Sequence, residues 1–335
     1  MTRRGRPPLG PTEDGSGTRR LSEQEERSLA GTVAEAYYLE DRSMVDIAER
    51  LGITRFQVAR LLQFARSSGI VSIDVRLPGG VDEQLSERLR DALGIERAIV
   101  HDVVGDSPRT EMGRALAELL PTVVQPSDVV GVTWSRTIVA MSEHLKTLPP
   151  CTLVQLAGHI TSEISSPGSV EVIRRLADVS GGRAFPIYAP LVAPDAYVAT
   201  ALRGQRDLAT AFEFYPRISV AVITIGAWLP GESSIYDTVG AAEQDLGLEL
   251  GAVGEISGRL FDAEGRTVSE VLDDRVLGIS LDELRNVPKV VASVYGAGRA
   301  AATLAAARSG LFTTLIADRA VASAVLELAE TAPVE

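Results

Sequence analysis

The chain of 335 residues has one cysteine, three histidines and no long uninterrupted apolar run. A single cysteine, Cys151, excludes a disulfide scaffold and a cysteine-based zinc cluster, and it fits a reducing cytosol. The N-terminus lacks the apolar segment of a signal peptide, and the longest uncharged stretch, Thr147–Ser162, falls short of the ~20 apolar residues of a membrane span. The histidines show no metal-ligand spacing. We therefore expect a soluble cytoplasmic protein without a cofactor, a metal ion or a membrane partner.

Charge is unevenly placed along this chain, whose formal net charge is −12. Residues 1–20 carry five arginines against two acids and almost no large apolar side chain, which predicts a disordered basic tail. Within it Arg4–Pro7 matches the core of an AT-hook, although a solvated tail is the simpler interpretation. Residues 78–335 carry 21 basic and 34 acidic side chains. Such an acidic body can bind nucleic acid only through a local contact.

Residues 21–77 show the order helix, helix, tight turn, helix and strand, which is typical of a winged helix-turn-helix. Each predicted helix begins at a hydroxyl side chain that can cap it, and Gly52 ends the second helix. Residues 70–75 alternate as a strand does. A winged module that binds another protein is the alternative. The predicted caps are Ser22, Ser43 and Thr54.

The third of these helices has the properties of a DNA recognition helix. Ala48, Gly52 and Val58 stand at offsets of 0, 4 and 10, where the motif needs a small residue, a turn and an apolar contact. Residues 54–67 contain three arginines and no acid. Arginine suits guanine and glutamine suits adenine, whereas the later arginines are expected on phosphates. The predicted DNA-contacting residues are Ser43, Thr54, Arg55, Gln57, Arg60 and Arg66.

Residues 78–94 are predicted to connect this module to a larger domain. Pro78-Gly79-Gly80 breaks the chain, and Glu83–Leu93 follows as an amphipathic helix that ends at Gly94. Such a helix can pack on the large domain or pair with a symmetry mate. Regulators of this type read two half-sites, so we expect a homodimer or a homotetramer.

Residues 95–335 alternate short apolar runs with amphipathic helices, which indicates an α/β domain with strands buried on both faces. The strand candidates are Arg97–His101, Asp128–Val132, Thr152–Leu156, Arg183–Tyr188, Ile218–Ile225, Val290–Tyr295 and Thr313–Ala317. The helix candidates are Arg109–Leu120, Thr137–Leu145, Val170–Val179, Leu281–Asn286, Arg299–Ser309 and Ala320–Glu330.

The most informative strand end is the loop Thr133-Trp134-Ser135-Arg136-Thr137, with a helix starting near Thr137. A loop of small and hydroxyl residues before a helix presents free backbone N–H groups, which is a ready anion or phosphate cradle. A loop in which Thr137 only caps the helix is the alternative. A second strand end places Gly226 near Trp228, which either stacks on a ligand or belongs to the core.

Taken together, these segments resemble the SorC family of sugar-responsive bacterial transcription regulators. The resemblance covers about residues 21–330 in order. It implies a large Rossmann-like domain related to sugar-phosphate isomerases, a sugar or sugar-phosphate effector, and oligomers that bind operators. The segments that carry it are Ile47–Val71, Gly131–Thr137, Gly254–Gly265, Gly296–Ala302 and Leu315–Asp318.

The resemblance also points to further effector-binding residues. Ser135 stands where the family usually has glycine, so a side chain there would narrow the cradle or restrict a positive φ. His159 could hydrogen-bond a ligand hydroxyl or be an exposed loop residue. Arg299 stands near a lysine of the family and could supply charge to a phosphate, and Glu255 could accept hydrogen bonds from sugar hydroxyls. The predicted effector-binding residues are Thr133, Trp134, Ser135, Arg136, Thr137, His159, Gly226, Glu255 and Arg299.

The sequence therefore predicts a DNA-binding regulator of carbohydrate or polyol utilisation, controlled by a sugar, polyol or sugar phosphate. The first alternative is a sugar-phosphate isomerase or deaminase with a DNA-binding appendage. Such an enzyme needs a positioned acid and base beside the cradle, and the sequence shows no such pair. The second alternative is a DNA-binding scaffold with an empty pocket.

Overall fold

A computed structural model describes residues 23–71, 80–103, 107–160 and 168–331. The chain divides into two units, Met1–Arg76 and Leu77–Glu335. The predicted basic tail, the capping Ser22 and most of the predicted wing lie outside the described residues. Within the described residues, no helix is long and apolar enough to cross a membrane.

The first unit contains the three predicted helices, α1 (Glu23–Tyr38), α2 (Met44–Leu51) and α3 (Arg55–Ser67). Gly52 ends α2 in the left-handed region with a φ of 64°, which a side chain would penalise. Helices α1 and α2 both pack on α3. Their shared core is formed by buried residues at helical spacing, among them Ala30, Val33, Ile47, Ala48, Val58, Leu61, Leu62 and Ala65.

The second unit is built on a seven-stranded parallel sheet, and each of its strands overlaps a predicted segment. The order across the sheet is β1-β11-β10-β5-β2-β3-β4, so β5 occupies the centre. The strands are β1 (Arg97–His101), β2 (Val129–Val132), β3 (Thr152–Gln155), β4 (Arg183–Phe185), β5 (Val220–Thr224), β10 (Lys289–Val294) and β11 (Thr314–Asp318).

Helices cover both faces of this sheet, and alternate residues of each strand face opposite layers. On β5, Val220 and Val222 pack with α5–α7, whereas Ala221 and Ile223 pack with α4, α12 and α13. This α/β/α arrangement confirms the predicted fold class. The helices are α4 (Glu83–Leu93), α5 (Pro108–Val123), α6 (Arg136–His144), α7 (Ser169–Ser180), α8 (Ala196–Arg203), α9 (Arg206–Phe212), α10 (Ala241–Glu249), α11 (Leu281–Arg285), α12 (Ala300–Arg308) and α13 (Arg319–Thr331).

A second, antiparallel sheet, which the sequence pattern did not predict, follows directly from the central strand. Only Ile225 separates β5 from β6 (Gly226–Ala227). The sheet continues through β7 (Ala252–Ile256), β8 (Arg259–Asp262) and β9 (Thr267–Val268) in that order. The small sheet therefore begins at the carboxyl edge of the large one, where ligands collect in open α/β folds.

Candidate functional site

A cavity of about 130 Å³ lies at the carboxyl ends of β2, β5 and β10, between the large sheet and the start of the small one. It brings together eight of the nine predicted effector-binding residues, and His159 is the exception. The eight are Thr133, Trp134, Ser135, Arg136, Thr137, Gly226, Glu255 and Arg299.

The loop after β2 leads into α6, and its backbone geometry differs from the expectation in two respects. Helix α6 begins at Arg136 instead of Thr137, and the cap is Ser135, whose hydroxyl accepts a hydrogen bond from the Ile138 N–H over 3.2 Å. Ser135 has a φ of −160°, which is extended backbone that any residue adopts. A serine at this position therefore imposes no backbone strain. Thr137, predicted as a possible cap, is buried in the first turn of the helix.

Two guanidinium groups line the cavity from the starts of α6 and α5. The Arg136 side chain is exposed, and among the described residues it has neither an ion-pair partner nor a hydrogen bond. Arg109, from the first turn of α5, is half-buried and donates a long hydrogen bond of 3.5 Å to the Tyr295 hydroxyl. Because neither cation is neutralised by a carboxylate of the described chain, Arg136 and Arg109 favour an anion in the cavity.

Arg299 also lines the cavity, but its charge is already balanced. Its guanidinium forms an ion pair with Glu232 at 2.8 Å and lies over the Tyr295 ring, 4.7 Å from the centroid. It also donates to the main-chain oxygens of Tyr295 and Glu232. These contacts make Arg299 a fixed part of the wall, so it supplies less charge to a ligand than Arg136 and Arg109 do.

Glu255 lies on β7, lines the cavity and is buried. Its Oε1 accepts a hydrogen bond from the Ser233 hydroxyl over 2.8 Å, and its Oε2 accepts one from the Gly258 N–H over 3.0 Å. Burial raises the pKa of this carboxyl, whereas these two hydrogen bonds and the nearby Arg299 act against that rise.

Two serine hydroxyls in the cavity wall were not predicted as site residues. Ser293, near the end of β10, is only 2% exposed, and Ser257 follows β7 with a φ of 54°. Within the described part of the chain, neither hydroxyl oxygen has a hydrogen-bond partner. Buried hydroxyls are normally satisfied, so these two are available to a polar ligand. The sequence signal for Ser293 was its place at the end of a predicted strand.

His159 lies outside this cavity, on the rim of a second cavity of about 350 Å³. Its backbone forms a parallel bridge with Pro190, and its side chain is exposed, as the alternative interpretation of a loop histidine expected. Three apolar residues, Ile160, Leu191 and Ile235, line both cavities.

Trp228, at the second strand end, belongs to the core and not to the cavity. It is fully buried, its Nε1 donates a hydrogen bond to the Gln244 carbonyl over 3.2 Å, and its ring packs edge-on against Tyr236. The ring therefore has no free face for a ligand. Among the described residues, there is also no group of three or more acidic, histidine or cysteine side chains that could hold a metal ion.

In the first unit, two of the predicted DNA-contacting side chains cap α3. The Thr54 hydroxyl accepts a hydrogen bond from the Gln57 N–H, and the Gln57 side-chain oxygen accepts one from the Thr54 N–H over 2.8 Å. Ser43 caps α2 in the same way. The remaining three predicted residues, Arg55, Arg60 and Arg66, are exposed on α3, and Arg60 approaches Glu26 at 3.8 Å.

The chain matches one family of domains and is similar in sequence to proteins that are named as regulators. Residues 81–327 match the family described as "Putative sugar-binding domain". The uncharacterized transcriptional regulator YjhU of Escherichia coli K12 is 32% identical over 303 residues, which are 87% of this chain and 92% of that protein. The deoxyribonucleoside regulator of Bacillus subtilis is 29% identical over 91% of this chain and 99% of its own length.

The fold is similar to that of a solved structure of a regulator. The full-length sorbitol operon regulator SorC of Klebsiella pneumoniae matches with a TM-score of 0.67 at 21% identity. That match covers 90% of this chain and 99% of the SorC chain, so it includes both units.

Proposed function

Because the chain belongs to the SorC family of sugar-binding transcriptional regulators, we propose that it binds operator DNA through α3 under the control of a phosphorylated sugar or polyol. The observation that carries this proposal is the lining of the cavity, which combines two arginines that no described carboxylate neutralises with a buried carboxylate and two unpaired hydroxyls. A sugar phosphate combines the matching groups, with an anion at one end and hydroxyl groups along the rest.

The first turn of α6, with Arg136 and Arg109, would hold the phosphate. Backbone N–H groups in the first turn of α6 have no partner within the helix, and the helix dipole adds positive potential there. Arg136 and Arg109 supply two charges that no described carboxylate neutralises. Together these groups can surround a phosphate more completely than a single arginine could.

Glu255, Ser293 and Ser257 would bind the hydroxyl groups of the sugar. Glu255 can accept a hydrogen bond, since each of its oxygens has lone pairs beyond the contact it already makes. The hydroxyls of Ser293 and Ser257 can donate or accept. Specificity among sugars would come from these groups, because a ligand without a matching hydroxyl leaves a buried polar group unpaired.

Control of transcription would follow from linkage. An effector that binds two states of the protein unequally must shift their populations, and the two states would differ in how they place two copies of α3 on an operator. The relatives reported above are named as regulators and not as enzymes, which supports this proposal over an isomerase or a deaminase.

The test is a thermal-shift screen of the full-length protein against sugars, polyols and their phosphates. A ligand at 100 times its Kd stabilises the protein by about 2.7 kcal/mol, which raises the melting temperature by a few degrees. We expect the response to be confined to phosphorylated compounds, and the same compound should change the affinity for a selected operator duplex. A response to unphosphorylated sugars alone would contradict the assignment of Arg136 and Arg109 to phosphate.

A further inference from the structure

Among the described residues of the first unit, Phe56 is the most exposed large apolar side chain, and it lies in the first turn of α3. It is 88% exposed, although phenylalanine is usually buried. We infer that Phe56 is a specificity-determining residue that packs on the 5-methyl group of a thymine in the major groove of the operator. This inference rests on the proposed function, since it requires α3 to be the recognition helix.

The capping contacts of α3 leave few other side chains in the first turn for base contacts. The side-chain oxygen of Gln57 already accepts hydrogen bonds from the main chain and the hydroxyl of Thr54. The Thr54 hydroxyl, in turn, accepts the Gln57 N–H. A bidentate contact of Gln57 with adenine needs this oxygen as an acceptor and would therefore break the cap. Arg55 and Phe56 are the exposed side chains of this turn that make no such contact.

The surface around Phe56 indicates nucleic acid as the partner. Ala59, Arg60 and Gln63 continue the exposed face at helical spacing from Phe56, and α3 contains three arginines and no acid. A cationic, otherwise polar helix face with one apolar side chain near its N-terminus matches the major groove. There phosphates flank the base edges, and the thymine methyl is the apolar group.

The experiment compares thymine with deoxyuridine, which lacks only the 5-methyl group. An operator is first selected from random duplexes with the full-length wild-type protein. Each thymine of that operator is then replaced in turn by deoxyuridine, and the Kd is measured at fixed salt for wild type and Phe56→Ala. Leu39→Ala is the matched control, because Leu39 is 80% exposed in the same unit but lies outside α3.

We expect one thymine position in a half-site at which deoxyuridine weakens wild-type binding about fourfold, the value of one buried methyl group. On the thymine operator, Phe56→Ala should weaken binding at least as much as the deoxyuridine replacement weakens binding by wild type. The variant should also lose the preference for thymine over deoxyuridine at that position alone, whereas Leu39→Ala should keep this preference. The melting temperature of Phe56→Ala should stay that of wild type, since its side chain is exposed.

Three outcomes would overturn the inference, and they are distinguishable. If the wild type selects a defined operator but no thymine preference depends on Phe56, the assignment of Phe56 is wrong and the proposed function stands. The same holds if Phe56→Ala binds as tightly as wild type, which would show that the ring makes no stabilising contact with the operator. If the wild type selects no sequence at all, both the inference and the proposed DNA-binding function fail.

Discussion

Gly226 and Glu255 are paired residues on neighbouring antiparallel strands, and they are too close for any side chain at position 226. A Cβ built on Gly226 would overlap the Oε1 atom of Glu255 and would lie 3.0 Å from the Cβ of Ser233. The glycine therefore lets the carboxylate lie flat against β6 and accept the Ser233 hydrogen bond. This close approach fixes the position of the cavity's only buried carboxylate among the described residues.

Gly226→Ala should disturb the cavity strongly, although the substitution adds only one methyl group. The new methyl group must displace the Glu255 carboxylate or Ser233, and overpacking of this kind typically costs about 1–3 kcal/mol. We expect the variant to unfold at lower denaturant concentration and to lose its response to the effector. Gly31→Ala, inside α1 with open space around it, is the control and should stabilise its helix by about 0.5–1 kcal/mol. Equal behaviour of the two variants would contradict the prediction.

The side chain of Ser135 should matter for folding through its cap. Ser135→Ala removes the hydroxyl that accepts the Ile138 N–H and should cost about 1 kcal/mol in the free energy of unfolding, whereas Ser135→Gly should cost only a few tenths. Urea titrations of the two variants measure this difference. A larger loss for glycine than for alanine would show that the capping hydrogen bond is not the deciding contribution.

Arg136→Ala should weaken a phosphorylated effector selectively. A hydrogen bond to a charged group contributes about 1.5–3 kcal/mol, so we expect the effector Kd to rise by about 10- to 100-fold. Affinity for operator DNA without effector should not change. Calorimetric titration measures the effector Kd, and Arg175→Ala, which removes an exposed arginine of α7, is the matched control. An unchanged Kd in Arg136→Ala would place the phosphate elsewhere.

Glu255 should make the stability of the protein depend on pH in a defined direction. Burial raises the pKa of this carboxyl above its ordinary value of 4.5 in the folded state. Between the unfolded and folded pKa values, the folded protein keeps a proton that the unfolded chain has lost. The contribution of Glu255 to stability therefore falls as the pH rises through that window and is constant above it.

Urea unfolding of wild type and Glu255→Gln across acidic to neutral pH isolates this effect, because the other carboxyls are common to both proteins. The free energy of unfolding of wild type, minus that of the variant, should decrease as the pH rises above about 4.5. An increase would mean that the Ser233, Gly258 and Arg299 contacts outweigh burial and hold the carboxylate ionised.

The parallel sheet could be predicted because its strands are continuous apolar runs bounded by turns. Residues 97–101 are predicted and observed with the same bounds, and the segment 218–225 contains the central strand. The caps of α2 and α3 were also predictable, since they depend on local side chains such as Ser43 and Thr54.

The small antiparallel sheet could not be predicted from the same signals. Two of its strands have only two residues each. The other two strands carry buried charged side chains, Glu255 and Arg259, which interrupt the apolar pattern expected of a buried strand. Arg259 is satisfied by carbonyls that are distant in sequence, such as those of Val276, Gly278 and Ile279, and by Asp273 at 2.7 Å. Because these contacts join residues that are distant in sequence, the local sequence pattern does not predict them.

The cavity residues were predictable to the extent that they follow parallel strands. Thr133 and Arg136 come after β2, and the ends of neighbouring parallel strands meet at one edge. The neutralisation of Arg299 by Glu232 was not predictable, because the two residues are far apart in sequence. Arg109, which reaches the cavity from the first turn of α5, was not predicted as a site residue because its segment showed only a helical pattern.

The residues that line both cavities allow the volume of the first cavity to change while the fold stays the same. Ile160, Leu191 and Ile235 belong to both walls, and none of them makes a side-chain hydrogen bond. Shorter side chains at these three positions would join the two cavities while leaving Arg136 and Glu255 in place. Homologues could thus accommodate bulkier effectors through substitutions at these aliphatic positions alone. The polar residues that bind the ligand would remain the same.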